Sequence, residues 1–117
     1  MIKVEVLRDK KLVKTLVVKD HAGYAPSGQD LVCAGASSIV VGMMNALDLM
    51  QSGACELEVK EGYTRIQVIC EGHGVQMLLE AMLIQLKTMV EAYPDYITIS
   101  EQEVKYEIRI RYSAICV

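Results

Sequence analysis

Twelve positions separate His21 from Cys33, and the segment between them, Ala22-Gly23-Tyr24-Ala25-Pro26-Ser27-Gly28-Gln29-Asp30-Leu31-Val32, reads as a pliable loop running into a helix. A thiol becomes a useful nucleophile when a base stands nearby and its surroundings are electropositive. With Asp30 as the helix cap, Leu31, Val32 and Cys33 become the first three helical positions. Their N–H groups lack intrahelical partners, and the aligned peptide dipoles place partial positive charge there. That field favours a thiolate, and the same amides, with loop amides around Gly23 and Gly28, can hold the oxyanion of a tetrahedral intermediate. Asp30 opposes part of this, because its carboxylate repels a thiolate unless His21 is protonated. A Cys33 thiolate and His21 imidazolium oriented by Asp30 reconcile the three groups. Asp20, beside His21, favours the imidazolium in the same way. Ser37 lies one helical turn beyond Cys33 on the same face and can hydrogen-bond into the site. The chemistry implied is nucleophilic hydrolysis by cysteine.

Each of these residues also has a plainer use. A cysteine in an apolar helix ordinarily packs as a small hydrophobe, and a loop histidine is ordinarily solvated. Asp30 can serve as a cap alone, and Gly23 and Gly28 can serve turn geometry alone. Cys55, Cys70 and Cys116 fall in or beside strand patterns and read as structural. No Cys-x-x-Cys pair occurs, so the four cysteines read as reduced thiols of a cytoplasmic chain. Cys70-Glu71-Gly72-His73 has ligand spacing without an evident second pair, which leaves a metal-binding regulator as the weakest functional reading. His73, between two glycines, reads as a turn residue. No motif implies a cofactor.

The elements that must position these groups follow from periodicity. Residues 2–7 alternate, Arg8-Asp9-Lys10 reads as a turn, and 11–19 resume a β-branched run, which predicts a hairpin. The pattern from Leu31 to about Gln51 is helical and apolar on most sides, so this helix is expected to be covered on more than one face. Gly35 and Gly42, seven apart, lie on similar sides of it and are expected to admit a close neighbour. Ser52-Gly53 ends the helix, and 55–60 with 63–70 predict a second hairpin around Glu61-Gly62. A second helix over about 75–92 carries Val75, Leu78, Leu79, Met82, Leu83, Leu86, Met89 and Val90 at helical spacing and stops at Pro94. Residues 96–100 and 104–112 read as extended. The order β-β-α-β-β-α-β predicts an α+β fold: a largely antiparallel sheet with two helices packed on one face, in one domain over 1–117.

The bulk numbers narrow the function. Just over half of the 117 residues are apolar and the formal charge is −3, with no lysine/arginine cluster, so direct nucleic-acid binding is not expected. The opening Met1-Ile2-Lys3-Val4-Glu5-Val6 alternates like a strand and lacks the apolar run of a signal peptide. Residues 31–47 carry no charge, but the run is short for a bilayer and is interrupted by Ser37, Ser38 and Asn45, so a helix inside the domain is expected rather than a membrane span.

The residues also carry a resemblance. His21-Ala22-Gly23-Tyr24-Ala25, then Gly28-Gln29-Asp30-Leu31-Val32-Cys33-Ala34 with Ser37 beyond, closely resembles the signature of the bacterial ribosomal-processing cysteine protease (Prp) family. The similarity runs from the opening hairpin to Tyr93-Pro94 and Tyr96-Ile97. It implies a catalytic dyad with His21 as base or imidazolium partner and Cys33 as nucleophile, and supporting roles for Asp30 and Ser37. It further implies removal of a short N-terminal extension from a large-subunit ribosomal protein, a substrate read through apolar and aromatic residues before the cut, and a homodimer. One position departs from the pattern: the family usually has glycine before the histidine, where this chain has Asp20, and aspartate is among the few residues that tolerate the positive φ a glycine there permits. The tail from Tyr112 to Val117 is longer than the resemblance requires. The rival reading is a non-catalytic binding module for a ribosomal-protein tail, with Asp20 marking lost or altered activity.

Overall fold

The structure, a computed structural model, describes residues 1–104. Alternating apolar side chains build β1 (Ile2–Asp9) and β2 (Leu12–Lys19). Ile2, Val4 and Val6 of β1 point into the core, and Val13 and Leu16 of β2 join them. The turn between the strands falls at Lys10 and Lys11, later than expected, and both residues have positive φ (52° and 69°). One neighbouring and one distant side chain hold this strained pair. The Arg8 guanidinium donates to the Lys11 carbonyl at 2.8 Å, and Glu103 accepts the Lys11 N–H at 3.2 Å.

α1 (Leu31–Met50) follows the loop, then the β3 (Cys55–Lys60) and β4 (Tyr63–Val68) hairpin, α2 (His73–Ala92) and β5 (Ile97–Glu103). The expected order therefore stands. His73 is the first residue of α2 rather than part of the turn before it. The strands align as β3-β4-β2-β1-β5. Three of the pairings are antiparallel, and β1 runs parallel to β5, with Ile2 opposite Ile97. The sheet is thus mixed, largely antiparallel as expected. The extended stretch expected over 104–112 and the tail to Val117 lie outside the described residues, apart from Val104.

Both helices bury their apolar stripes in one core with the strands. Val32, Ala36, Val40, Met44 and Leu47 do so from α1, and Val75, Leu79, Met82, Leu83 and Leu86 from α2. α1 is long and apolar enough to cross a membrane by length and composition, yet its buried stripe belongs to this core. The sheet and α2 cover two of its sides. The third exposes Leu31 (67%), Val41 (49%) and Leu49 (81%). Gly35 does admit a close neighbour: a Cβ there would stand 3.1 Å from Met89 Cε. Gly42 does not, since nothing lies within 4 Å of its absent side chain. Seven residues turn a helix by only about 20°, so the two glycines share a side of α1, and the exposed Gly42 lies where no neighbour closes on that side.

Candidate active site

Asp30 has extended backbone (φ −87°, ψ 102°) and caps α1, its Oδ1 accepting the Cys33 N–H at 3.0 Å. Its Oδ2 accepts the Tyr24 N–H at 3.0 Å. One carboxylate therefore fastens both the first helical turn and the loop before it. The Cys33 N–H above all, with those of Tyr24 and Ala25, holds the Asp30 carboxyl below its ordinary range, against an opposing effect of burial. Cys33 is half-buried, and its Sγ accepts the Ala22 N–H at 3.2 Å. That contact places a backbone dipole on the sulfur. Cys55 has its thiol pushed up to about 11 by burial, with the charge of Glu71 adding to the effect.

His21 follows Asp20, whose φ of 70° lies in the left-handed region that the resemblance implied for this position. The Asp20 carboxylate lies 3.6 Å from the Lys3 ammonium. Beyond the Lys19–Tyr63 pair, the Asp20 N–H donates to the Gly62 carbonyl at 2.9 Å, which carries the β2–β4 ladder one step into the loop. The exposed His21 ring lies against Gly62, at the β3–β4 turn.

Two cavities meet at these residues. One, of about 200 Å³, is bounded by α1, β2 and the β3–β4 hairpin, with Val18, Val40, Val41, Val59 and Tyr63 in its walls. The other, of about 530 Å³, lies under the loop and is lined by Gly23, Ser27, Gly28, Asp30 and Glu61. Among the described residues, His21, Cys33 and Ser37 line both and no other does. The structure thus brings together every site residue named from the sequence. Among the described residues no hydrogen bond joins His21 to Cys33, whose sulfur is engaged by Ala22.

The loop amides are largely committed. Ala22 donates to sulfur, Tyr24 to Asp30, and Gln29 to the Pro26 carbonyl at 2.9 Å. The Cys33 amide, expected among the oxyanion donors, is taken by the cap that starts the helix. Gly23 (φ 69°) and Gly28 (φ 85°) adopt positive φ at the cavity wall. Sequence reasoning overlooked a ring cluster that anchors the loop. Tyr24 stands edge-on to Tyr93 at 5.8 Å and to Tyr96 at 5.1 Å between centroids. The tyrosines themselves were visible, but nothing local to Tyr24 pointed to rings seventy positions away.

Among the described residues no group of three or more His, Cys, Asp or Glu side chains is placed to hold a metal ion. Cys70 is disulfide-bonded, contrary to the reduced thiol expected there, and Cys116 lies outside the described residues. The Cys70–His73 metal reading has no support in this arrangement.

A thiol delivered by a helix start, beside a loop histidine and at the junction of two clefts, is the equipment of a cysteine peptidase. This class is borne out by comparison with known proteins. The chain belongs to the family described as Cysteine protease Prp, whose model matches residues 1–98. It is 29% identical over 104 residues to the ribosomal processing cysteine protease Prp of Staphylococcus aureus (strain NCTC 8325 / PS 47), covering 86% of this chain and 98% of that one. Its counterpart in Bacillus subtilis (strain 168) is 31% identical over 87 residues, covering 68% and 78%. The crystal structure of the S. aureus protease with a covalently linked product peptide superposes with a TM-score of 0.83 at 28% identity, over 87% of this chain and 100% of that one. A second S. aureus structure, with a substrate peptide, gives a TM-score of 0.74 at 26% identity over the same shares.

Proposed function

We propose that this cysteine protease removes a short N-terminal extension from a large-subunit ribosomal protein, using Cys33 as nucleophile and His21 as proton carrier. The observation that carries the assignment is the junction: among the described residues, His21, Cys33 and Ser37 alone face both cavities. A peptide crossing it meets an apolar cleft on one side, suited to apolar or aromatic residues before the cut, and a wider space under the loop on the other. The substrate class is supported by relatives whose names describe ribosomal processing.

In the reaction the Cys33 thiolate attacks the scissile carbonyl and forms a tetrahedral oxyanion. Gly23 and Gly28 supply the amides toward it, because the Cys33 N–H is held by Asp30. Protonated His21 gives its proton to the leaving amine, the C–N bond breaks, and a thioester to Cys33 remains. A water molecule then loses a proton to His21 and attacks the thioester carbonyl, releasing the acid and restoring the thiolate. Asp30 holds the helix start and loop in register, and Ser37 contributes a hydroxyl at the cavity junction. The loop over 22–29 opens and closes around the peptide. The protein works in the cytoplasm as a homodimer, in keeping with the site of ribosome assembly and with the apolar side chains that α1 leaves uncovered.

Mass spectrometry of the unprocessed ribosomal protein, before and after exposure to this chain, tests the reading. Cleavage by the wild type and its loss in Cys33→Ala and His21→Ala, both still folded, is the expected result. Unimpaired cleavage by either variant rejects the dyad. Binding of the extension without any cleavage favours the non-catalytic alternative.

A further inference from the structure

The β3–β4 turn does more than connect two strands. Lys60 pairs with Tyr63, so Glu61 and Gly62 form a two-residue hairpin loop. The β2–β4 register, with Lys19 opposite Tyr63, then lays Gly62 alongside Asp20 and His21. A Cβ on Gly62 would stand 3.2 Å from His21 Nε2, 3.7 Å from Cε1 and 3.9 Å from Cδ2. The Nε2 corner of the ring therefore points at the space where a side chain would begin. The backbone of His21 is referenced to the same residue, because the Gly62 carbonyl accepts the Asp20 N–H at 2.9 Å. Gly62 also lines the apolar cleft beside Cys33.

We infer that Gly62 is a positioning residue for the reaction, its bare backbone forming the seat that sets the orientation of the His21 ring. The inference rests on the reading of His21 as the proton carrier. Any side chain at Gly62 crowds the Nε2 corner and turns the ring, moving the nitrogen that must exchange a proton across the junction.

Two penalties must be separated, since Gly62 has φ 66° and alanine is strained there whatever the space. Gly53 supplies the control: its φ is 80°, and nothing lies within 4 Å of its absent Cβ. Gly62→Ala, Gly62→Asn, Gly53→Ala and His21→Ala are compared by thermal melting, by cleavage of a peptide spanning the processing site, and by the pH dependence of Cys33 alkylation with iodoacetamide. Asparagine tolerates positive φ, so Gly62→Asn keeps the melting temperature close to wild type while still carrying a Cβ. Both Gly62 variants are expected to lose about tenfold to hundredfold in kcat with KM little changed, the cost of a small misplacement of a reacting group. Their Cys33 alkylation profile moves along the pH axis. Gly53→Ala melts earlier and keeps wild-type kcat and the wild-type profile.

Wild-type kcat and an unmoved profile in Gly62→Asn overturn the inference. So does a kcat loss in Gly53→Ala that matches the Gly62 variants at equal loss of stability. Full cleavage by His21→Ala is a different result, and it removes the reading on which the inference stands.

Discussion

Asp30 shows how one side chain can serve two structures. Its two oxygens accept from Cys33 at the helix start and from Tyr24 in the loop, and an amide has only one oxygen to offer. Asp30→Asn is therefore expected to keep the cap and most of the stability but release the loop, lowering cleavage more than melting temperature. Asp30→Ala is expected to lower both. Folding holds this carboxyl below its ordinary value of 3.8. Its contribution is thus complete above that value and fades as pH falls through the lower folded one. The melting difference between wild type and Asp30→Ala should be full at neutral pH and shrink in strong acid; a difference that grows in acid contradicts the assignment. Cys55, held protonated by burial, should alkylate far more slowly than Cys33 at neutral pH, and mass mapping of labelled peptides checks this. The cap, the thiol and the histidine were legible in the sequence because each depends on neighbours within a dozen positions. The Ala22 contact to sulfur was not, because it depends on how the loop folds back.

At the scale of elements, the helices were readable from periodicity, and the ends at Asp30 and Pro94 followed from residues that cap or forbid a turn. What could not be read is which side of α1 meets α2. The two glycines of α1 looked equivalent, yet one faces Met89 and the other faces open space. Gly42→Ala is accordingly expected to stabilise the protein by about 0.5–1 kcal/mol, the ordinary gain in a helix interior. Gly35→Ala should give less, because the Met89 methyl must shift, although a flexible thioether yields readily. Gly35→Leu should lose about 1–3 kcal/mol by overpacking. Urea titration of the three variants orders them, and equal effects at the two glycines would contradict the packing described. The β1–β2 turn teaches the complementary lesson. The turn was expected over Arg8-Asp9-Lys10 but falls at Lys10 and Lys11, whose positive φ is sustained by Arg8 and by Glu103, the latter ninety-two positions from Lys11.

Across the whole molecule, Arg8 joins three elements. From β1 its guanidinium donates twice to Glu80 of α2, each at 2.9 Å, and once to Glu101 of β5 at 2.9 Å. Arg8 is the main reason that both carboxyls lie below their ordinary range. Their contribution to stability is therefore present above about pH 4.5 and is lost as pH falls below it. Arg8→Met is expected to cost about 1–2 kcal/mol at neutral pH, limited by the water that reaches the two carboxylates once released. The proposed homodimer is checked by sedimentation, which should give twice 13.0 kDa; a single-chain mass at working concentration rejects it. The strand order was only partly legible. Hairpins announce themselves locally, whereas the parallel pairing of β1 with β5 joins the two extremes of the described chain. That pairing has a consequence for biosynthesis. The strand made first lies between β2 and β5, so one of its flanks waits for a partner until translation has passed Glu103. A nascent or prematurely terminated polypeptide offers that unsatisfied flank to chaperones or to its own kind. Tyr96, whose ring stands edge-on to Tyr24, is likewise made after His21 and Cys33, so the loop between them gains this anchor only once both are in place.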